Sequence, residues 1–321
     1  MRTERHAGTG LLPGFSGDGG PASQAQLYCA LGIAFGPDGA VYVDDHVNNR
    51  IRQIDASGTI STVVGSGAAG LDLGSWTGDD GPATRATLQE PAEIVFDAAG
   101  NLYISDRDNN RIRKVDRYGI ITTIAGNGKT GYEGDGVLGY QTSIEFPLGI
   151  VVDAKGNVIF ADEGNKRIRM IDHLTGIIAT IAGNGVNATT GDGGPAINAS
   201  IGDPGALIFD AAGNLYLGGT GPPAFRRIGT RWSDLERGRH RVNRRPAGPD
   251  LEPRWLGVRP GRQPLGVERD CRGPHRHPWR DNTDRRTTLV EVCPDWPCRS
   301  LARPEGLEPP TLWSEARCSI R

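Results

Sequence analysis

The sequence predicts an all-β chain: a partial β-propeller of four recognisable four-stranded antiparallel blades, followed by an irregular C-terminal tail. Three observations predict it. Apolar runs closed by an Asp-Gly or Gly-Asn turn recur four times, at 33–39, 94–101, 150–157 and 207–214. Arg-Ile-Arg triplets follow at matching offsets, at 50–52, 111–113 and 167–169, with Phe225-Arg226 as a degraded fourth. Gly-Asp loops hold Asp18, Asp79, Asp135 and Asp192, spaced 61, 56 and 57 residues apart. Landmarks that keep one phase over such a period mark a structural repeat.

The second unit shows what one repeat contains. Residues 92–96, 102–105, 111–116 and 120–125 are short runs rich in β-branched and aromatic residues. Ala-Gly-Asn, Asp-Asn-Asn and Arg-Tyr-Gly separate them, and these suit tight turns that need a positive φ. Four strands per unit and no helical periodicity describe a propeller blade. A lone blade cannot bury both faces, so apolar positions are expected on both, with stacked neighbours covering them. The repeats span about 17–67, 78–128, 134–185 and 191–229. Ala7-Gly8-Thr9-Gly10 resembles Ala125-Gly126-Asn127-Gly128, the exit of a blade, so 1–16 reads as the remnant of a preceding blade. Unpaired edges are expected near 30–35 and 215–228, inviting aggregation or pairing with another chain.

Composition changes sharply at residue 229. Up to Gly229 there are 17 Lys and Arg against 25 Asp and Glu; beyond it there are 19 Arg, no Lys and 13 acids. Five of the six Trp and four of the five Cys also lie beyond it. Read one nucleotide later with suitable codons, 253–267 becomes Pro-Gly-Gly-Leu-Ala-Phe-Asp-Pro-Ala-Gly-Asn-Leu-Trp-Val-Ser, the opening of another repeat where the fifth is due. The expectation for 230–321 is therefore disorder or a frameshift-derived tail. Its Arg237–Arg245 run and His275-Arg276-His277 look basic enough for nucleic acid, but a genuine site pairs such charge with a folded platform. Nucleic-acid binding is not expected. Cys293 and Cys298 lack a second ligand pair, which argues against zinc. Cys29 alone cannot make a disulfide framework in the body. No run of 18 apolar residues exists, so no membrane span is expected. No apolar signal core follows Met1, and localisation stays unassigned. Asn187 and Asn198 stand in formal sequons without further support.

These repeats resemble the NHL repeat family, in the variant whose blades are joined by a Gly-Asp-Gly-Gly-Pro-Ala linker. The linker stands at 17–22 and 191–196, with 78–83 as a close variant, while 134–137 has lost its Gly-Pro-Ala end. The resemblance implies a ring, generally six-bladed, in an exported or extracellular bacterial protein. It implies a non-enzymatic scaffold for an unknown protein or peptide partner, with other blades or a second chain needed to close the ring. The alternative is a fragment of a six-bladed lactonase-like hydrolase or lyase with a divalent metal.

The recurring Asp-x-x-Asn-x-Arg pattern carries Asp45, Asn49, Arg50, Asp106, Asn110, Arg111, Asp162 and Arg167. Asp and Asn are expected to cap the hairpin while Arg ties neighbouring strands, because catalysis rarely needs one identical group per repeat. Asp18, Asp79, Asp80, Asp135 and Asp192 are the metal candidates, as an acidic rim on one face. The preferred reading is local turn chemistry, since no loop has the ligand count of a calcium loop. His46 and His173 occupy different positions in their blades and are placed off the innermost strands. Glu93 and Asp203 each break the repeat singly, at different steps. No catalytic residue and no cofactor is assigned.

Overall fold

The computed structural model describes residues 7–9, 13–67, 76–219, 225–229 and 235–237. Within the stretch expected to be an irregular tail, residues 235–237 form a strand paired to the fourth repeat. The rest of the tail, with its cysteines and histidines and the expected fifth-repeat opening at 253–267, lies outside the described residues. Within them the chain is the all-β array that the repeat phase predicts. Blade one comprises β1 (Ile33–Phe35), β2 (Val41–Asp45), β3 (Arg50–Ile54) and β4 (Ile60–Val64). A short linker strand, β5 (Gly81–Pro82), precedes blade two, which comprises β6 (Pro91–Phe96), β7 (Leu102–Asp106), β8 (Arg111–Val115) and β9 (Ile120–Ala125). Blade three comprises β10 (Pro147–Val152), β11 (Val158–Asp162), β12 (Arg167–Ile171) and β13 (Ile178–Ala182). After the small hairpin of β14 (Thr189–Thr190) and β15 (Ser200–Ile201) comes blade four. Its strands are β16 (Pro204–Phe209), β17 (Leu215–Gly219), β18 (Arg226–Ile228) and β19 (Leu235–Arg237). Every blade is an antiparallel meander whose strands pair in sequence order.

Local chemistry explains the turns. Asp97 accepts hydrogen bonds from the backbone N–H groups of Ala99 and Asn101, and Asp153 and Asp210 hold the same turn in blades three and four. Asp55 and Asp116 close the turn between the third and fourth strands in the same way. The carboxylate satisfies N–H groups that a two-residue turn leaves unpaired. Prolines 91, 147 and 204 open the first strands, where a missing N–H costs nothing, and the register slips by a bulge just after each.

The linkers staple neighbours together. Gly81 and Pro82 pair with Ile121 and Ile120, so the linker covers the outer edge of β9. The next residues turn back to the previous blade: Gly65 N–H donates to Ala83 O and Ser66 N–H to Ala86 O. Gly126 and Asn127 repeat this on Gly139 and Thr142, and Gly183 and Asn184 on Ala196 and Ala199. Gly8 and Thr9 make the same two bonds to Ala22 and Ala25, so residues 7–9 occupy the place of a blade exit, as their sequence suggests. Gly78 shows why the loop needs glycine: its φ is +91° and a Cβ would stand 2.6 Å from the Ala86 Cα.

Contacts between blades concentrate on the first strands β1, β6, β10 and β16, which are therefore the inner strands. One apolar cluster joins blades one and two through Ile51, Val64, Leu88, Ile94 and Ile104. A second joins blades two and three through Ile112, Ile144, Ile150 and Phe160. On its other face, among the described residues, blade one is covered by the preceding segment, with Ala22 and Ala25 on Val43, Ile54 and Ile60. That cover stops short of β1. Ile33 is 62% exposed and Phe35 74%, whereas the equivalent Ile94 and Ile150 are 2% and 3% exposed.

The contrast gives a prediction. Converting Ile33 and Phe35 to Thr should leave the unfolding free energy within about 0.5 kcal/mol and reduce self-association in light scattering. Ile94→Ala should cost about 2–5 kcal/mol in denaturant unfolding. Equal costs at both places would mean that the β1 face is as well covered as the interior.

Candidate functional site

Four arginines are fully buried side chains: Arg52, Arg113, Arg169 and Arg226. Each stands at the same place on the third strand of its blade, facing Val43, Ile104, Phe160 and Leu217 across the pair. Arg52 reaches Asp45 of β2 at 3.1 Å and Asp18 of the linker at 2.7 Å. Arg113 bridges Asp106 and Asp79 at 3.2 and 2.7 Å, and Arg169 bridges Asp162 and Asp135 at 3.2 and 3.0 Å. In blade four Gly219 stands where the inner Asp would be. There Arg226 turns to Asp192 at 2.8 Å and donates to the Ser200 and Thr190 carbonyls.

The recurring motif residues divide their work differently from the sequence expectation. Asn48, Asn109 and Asn165 donate their amides to Asp45, Asp106 and Asp162 and close the hairpin. Asn49 and Asn110, one residue later, are left-handed, with φ of 56° and 50°. Their side-chain oxygens accept the backbone N–H of Glu90 and Phe146 in the following blade, so they join blades. Arg50, Arg111 and Arg167 make no ion pair with the motif Asp. They donate to carbonyls at the exit of the fourth strand, Ser66, Asn127 and Asn184. Each also lies over a linker aromatic: Phe15 at 3.8 Å, Trp76 at 3.7 Å and Tyr132 at 3.8 Å. The ion-pairing arginine is the one two residues further on, which the pattern did not include.

The linker acids do not face solvent as a free rim. Asp18 receives Arg52 and the Thr62 hydroxyl, and Asp135 receives Arg169 and the Thr180 hydroxyl. Asp79 and Asp192 each hold their arginine. The carboxylates reach across to the third strand, where a local turn had been expected. Among the described residues no group of three or more His, Cys, Asp or Glu is placed to hold a metal.

Residues that break the repeat collect at one end of the blades, around the β2–β3 type hairpins and the linkers. His46 follows β2 and is buried; its Nδ1 contacts the Pro91 carbonyl at 2.9 Å and its Nε2 lies 3.7 Å from Glu90. Burial lowers its pKa. Arg107, at the position of His46 in blade two, pairs with Asp108 at 2.6 Å and lies over Phe146 at 4.9 Å. Burial raises the Asp108 carboxyl to about 6 against the pull of Arg107. Lys166 takes the place of Asn49 and Asn110 and pairs with Asp203 at 2.5 Å. His173 lies at the opposite end, on a cleft of about 300 Å³ between blades two and three lined also by Tyr103, Lys114 and Tyr140.

Glu93 does not stand alone. It lies on inner strand β6 beside Asp44 of β2, which the sequence reading passed over because Val-Asp-Asp hides it next to the repeated Asp45. The equivalents of Asp44 are Ser105, Ala161 and Gly218, and those of Glu93 are Gly32, Gly149 and Ala206. A unique acid pair thus sits on inner elements, where no carboxylate cluster was expected. Alignment of one repeat on another would have exposed both substitutions; only the fold brings them together. Asp44 is fully buried, its Oδ1 accepting the N–H groups of Leu31 and Gly32 at 2.6 and 2.8 Å. Burial raises its pKa well above the carboxylate range, with Glu93 and Asp45 adding to the rise. Burial likewise raises Glu93 to about 7.

Two predictions follow from these geometries. Arg113→Ala should cost about 3–5 kcal/mol in denaturant unfolding, because Asp106 is left buried without a counter-charge; a cost below 1 kcal/mol would remove the clamp from the account. Glu93 binds its proton more tightly when folded than in the unfolded chain, where its carboxyl titrates near 4.5. Its contribution is therefore fully present below pH 4.5 and is lost as pH rises to about 7, on the order of 2 kcal/mol after allowance for screening. Melting temperatures of Glu93→Gln and the parent chain, compared from pH 4.5 to 8, should diverge in the variant's favour as pH rises. Parallel curves would contradict it.

Comparison with known proteins agrees with the repeat. A family model of the teneurin NHL domain matches residues 13–72 and again 72–133. The protein SUPPRESSOR OF QUENCHING 1, chloroplastic, of Arabidopsis thaliana is 30% identical over 174 residues, 51% of this chain and 16% of that protein. NHL repeat-containing protein 2 of Gallus gallus is 28% identical over 152 residues, 45% of this chain and 20% of that protein. The chain thus spans a fifth or less of the length of these relatives. Among solved structures, virginiamycin B lyase from Staphylococcus aureus aligns at 16% identity over 67% of this chain and 56% of that one, with a TM-score of 0.44. The phase of the repeats and their meandering sheets agree with the family-model match, so residues 13–133 are similar to the NHL domain of the teneurins.

Proposed function

We propose that the chain is a non-enzymatic binding scaffold that meets a protein or peptide partner through the end of the blades carrying the β2–β3 type hairpins. One observation supports this reading above others. Charged groups at the repeated positions are consumed within the blades, by the clamps on Arg52, Arg113 and Arg169 and by the stacks on Phe15, Trp76 and Tyr132. Six residues that vary from repeat to repeat share that one end: His46, Glu90, Arg107, Asp108, Lys166 and Asp203. Constant positions build and variable positions recognise, which is the division expected of a repeat scaffold.

The unique pair of Asp44 and Glu93 favours a second reading, part of a lactonase-like hydrolase or lyase, because raised carboxyls on an inner strand and the strand beside it suit acid–base work. Turnover separates the two. Incubated with a panel of lactones and esters, with and without EDTA, the chain should give no hydrolysis above buffer. Turnover that EDTA abolishes, and that Asp44→Asn also abolishes, would overturn the scaffold reading.

A further inference from the structure

We propose that Asp44 and Glu93 form a binding site for one hydrated divalent cation of the hard, oxygen-seeking class. This goes beyond the scaffold reading and needs no catalysis. Asp44 is fully buried, its Oδ1 is fixed by two backbone N–H groups, and its Oδ2 has no hydrogen-bond partner. Burying a carboxylate oxygen without a partner is costly, and native structures rarely do so without a reason. Oδ2 and the Glu93 Oε1 both lie beside Gly32. A Cβ placed on Gly32 would lie 3.0 Å from both the Glu93 Cα and its Oε1 and 3.3 Å from Asp44 Oδ2, so both oxygens flank the narrow space beside this glycine. Any larger residue at position 32 would fill it. In blades three and four the equivalent space is closed by backbone instead: a Cβ on Gly149 would lie 2.3 Å from the Gly205 carbonyl.

Charge selects the ligand. The charged groups acting most strongly on Asp44 are Glu93 and Asp45, both of its own sign. Asp45 has an ion-pair partner in Arg52 at 3.1 Å, whereas Asp44 and Glu93 have none among the described residues. A monovalent ammonium would leave one negative charge in a poorly solvated place, whereas a divalent ion cancels both. Two carboxylate oxygens and no nitrogen or sulfur ligand suit Mg²⁺ or Mn²⁺, which keep most of their waters and bind through one or two carboxylates. Glu93 is only partly buried and swings on three rotatable bonds, so water reaches the site and the side chain can close on an ion. Without an ion the site takes up a proton instead, in keeping with the raised carboxyls of both residues.

Mn²⁺ is the probe, because its electron paramagnetic resonance signal counts free ion directly. The full chain, stripped with EDTA and dialysed, should take up one Mn²⁺ saturably, and Mg²⁺ should compete. Asp44→Asn and Glu93→Gln should each weaken uptake at least tenfold and abolish the rise in melting temperature that Mn²⁺ gives the parent chain. Asp80→Asn, at an exposed linker acid whose φ of 62° suits Asn, should bind as the parent does. If Asp44→Asn does not fold, Glu93→Gln decides, since its side chain is only partly buried. Unsaturable uptake by the parent chain, or unchanged uptake in Glu93→Gln, would overturn the site. Loss in Asp80→Asn as well would place the ion on the linkers and overturn it equally.

Discussion

A buried arginine held between two aspartates is the interaction on which the array depends. Arg52, Arg113 and Arg169 each lie with one nitrogen on a fully buried acid of their own blade and another on an acid of the linker. A guanidinium taken out of water is affordable only when its fork is filled, and two carboxylates on different segments fill it. The net gain in stability over an apolar substitute is small, but the geometric gain is large. Without the clamp the linker is a glycine-rich loop free to leave the sheet. With it, the loop is nailed to the third strand and can cover the outer edge of the fourth.

That placement propagates. Once Asp79 is on Arg113, Gly81 and Pro82 lie along β9, and Ala83 and Ala86 receive the N–H groups of Gly65 and Ser66 from the blade before. The linker is thus both an edge guard for one sheet and a latch on its neighbour. Apolar packing then supplies most of the free energy, since Ile51 and Ile104 meet across the interface that the latch sets. The aromatic three residues ahead of each linker acid belongs to the same device, covering the outer arginine with its ring face. In the fourth repeat Thr189 replaces the aromatic and Ala224 replaces the arginine, so both partners of the stack are lost together.

Phase and turn chemistry were legible in the sequence. Strands expected at 92–96, 102–105, 111–116 and 120–125 are found within a residue of those limits, because Gly and Asp at the turns leave little freedom. The blade exit at residues 7–9 was also legible, as a copied tetrapeptide. The partner of each charge was not. Arg50 and Arg52 are two apart on one strand and so share a face of the sheet, yet one donates to the loop exit and the other to the acids. Sequence spacing does not say which side of the sheet the linker will take. For the same reason Glu93 looked solitary: Asp44 lies 49 positions earlier and on another blade, and only stacking brings them together.

The fourth repeat shows what the clamp requires. Gly219 occupies the position of the inner aspartate, yet Arg226 is still buried and still joined to the linker through Asp192. Its remaining donors go to the carbonyls of Thr190 and Ser200, the counterparts of the Thr77 and Thr87 carbonyls that Arg113 also reaches. A neutral carbonyl can fill the fork but cannot cancel its charge, so one acid carries the whole balance. The linker acid is therefore the indispensable half of the clamp and the blade acid the replaceable half. This is the order to be expected if the arginine serves to hold the linker, since an arginine serving only its own sheet would keep the acid of that sheet.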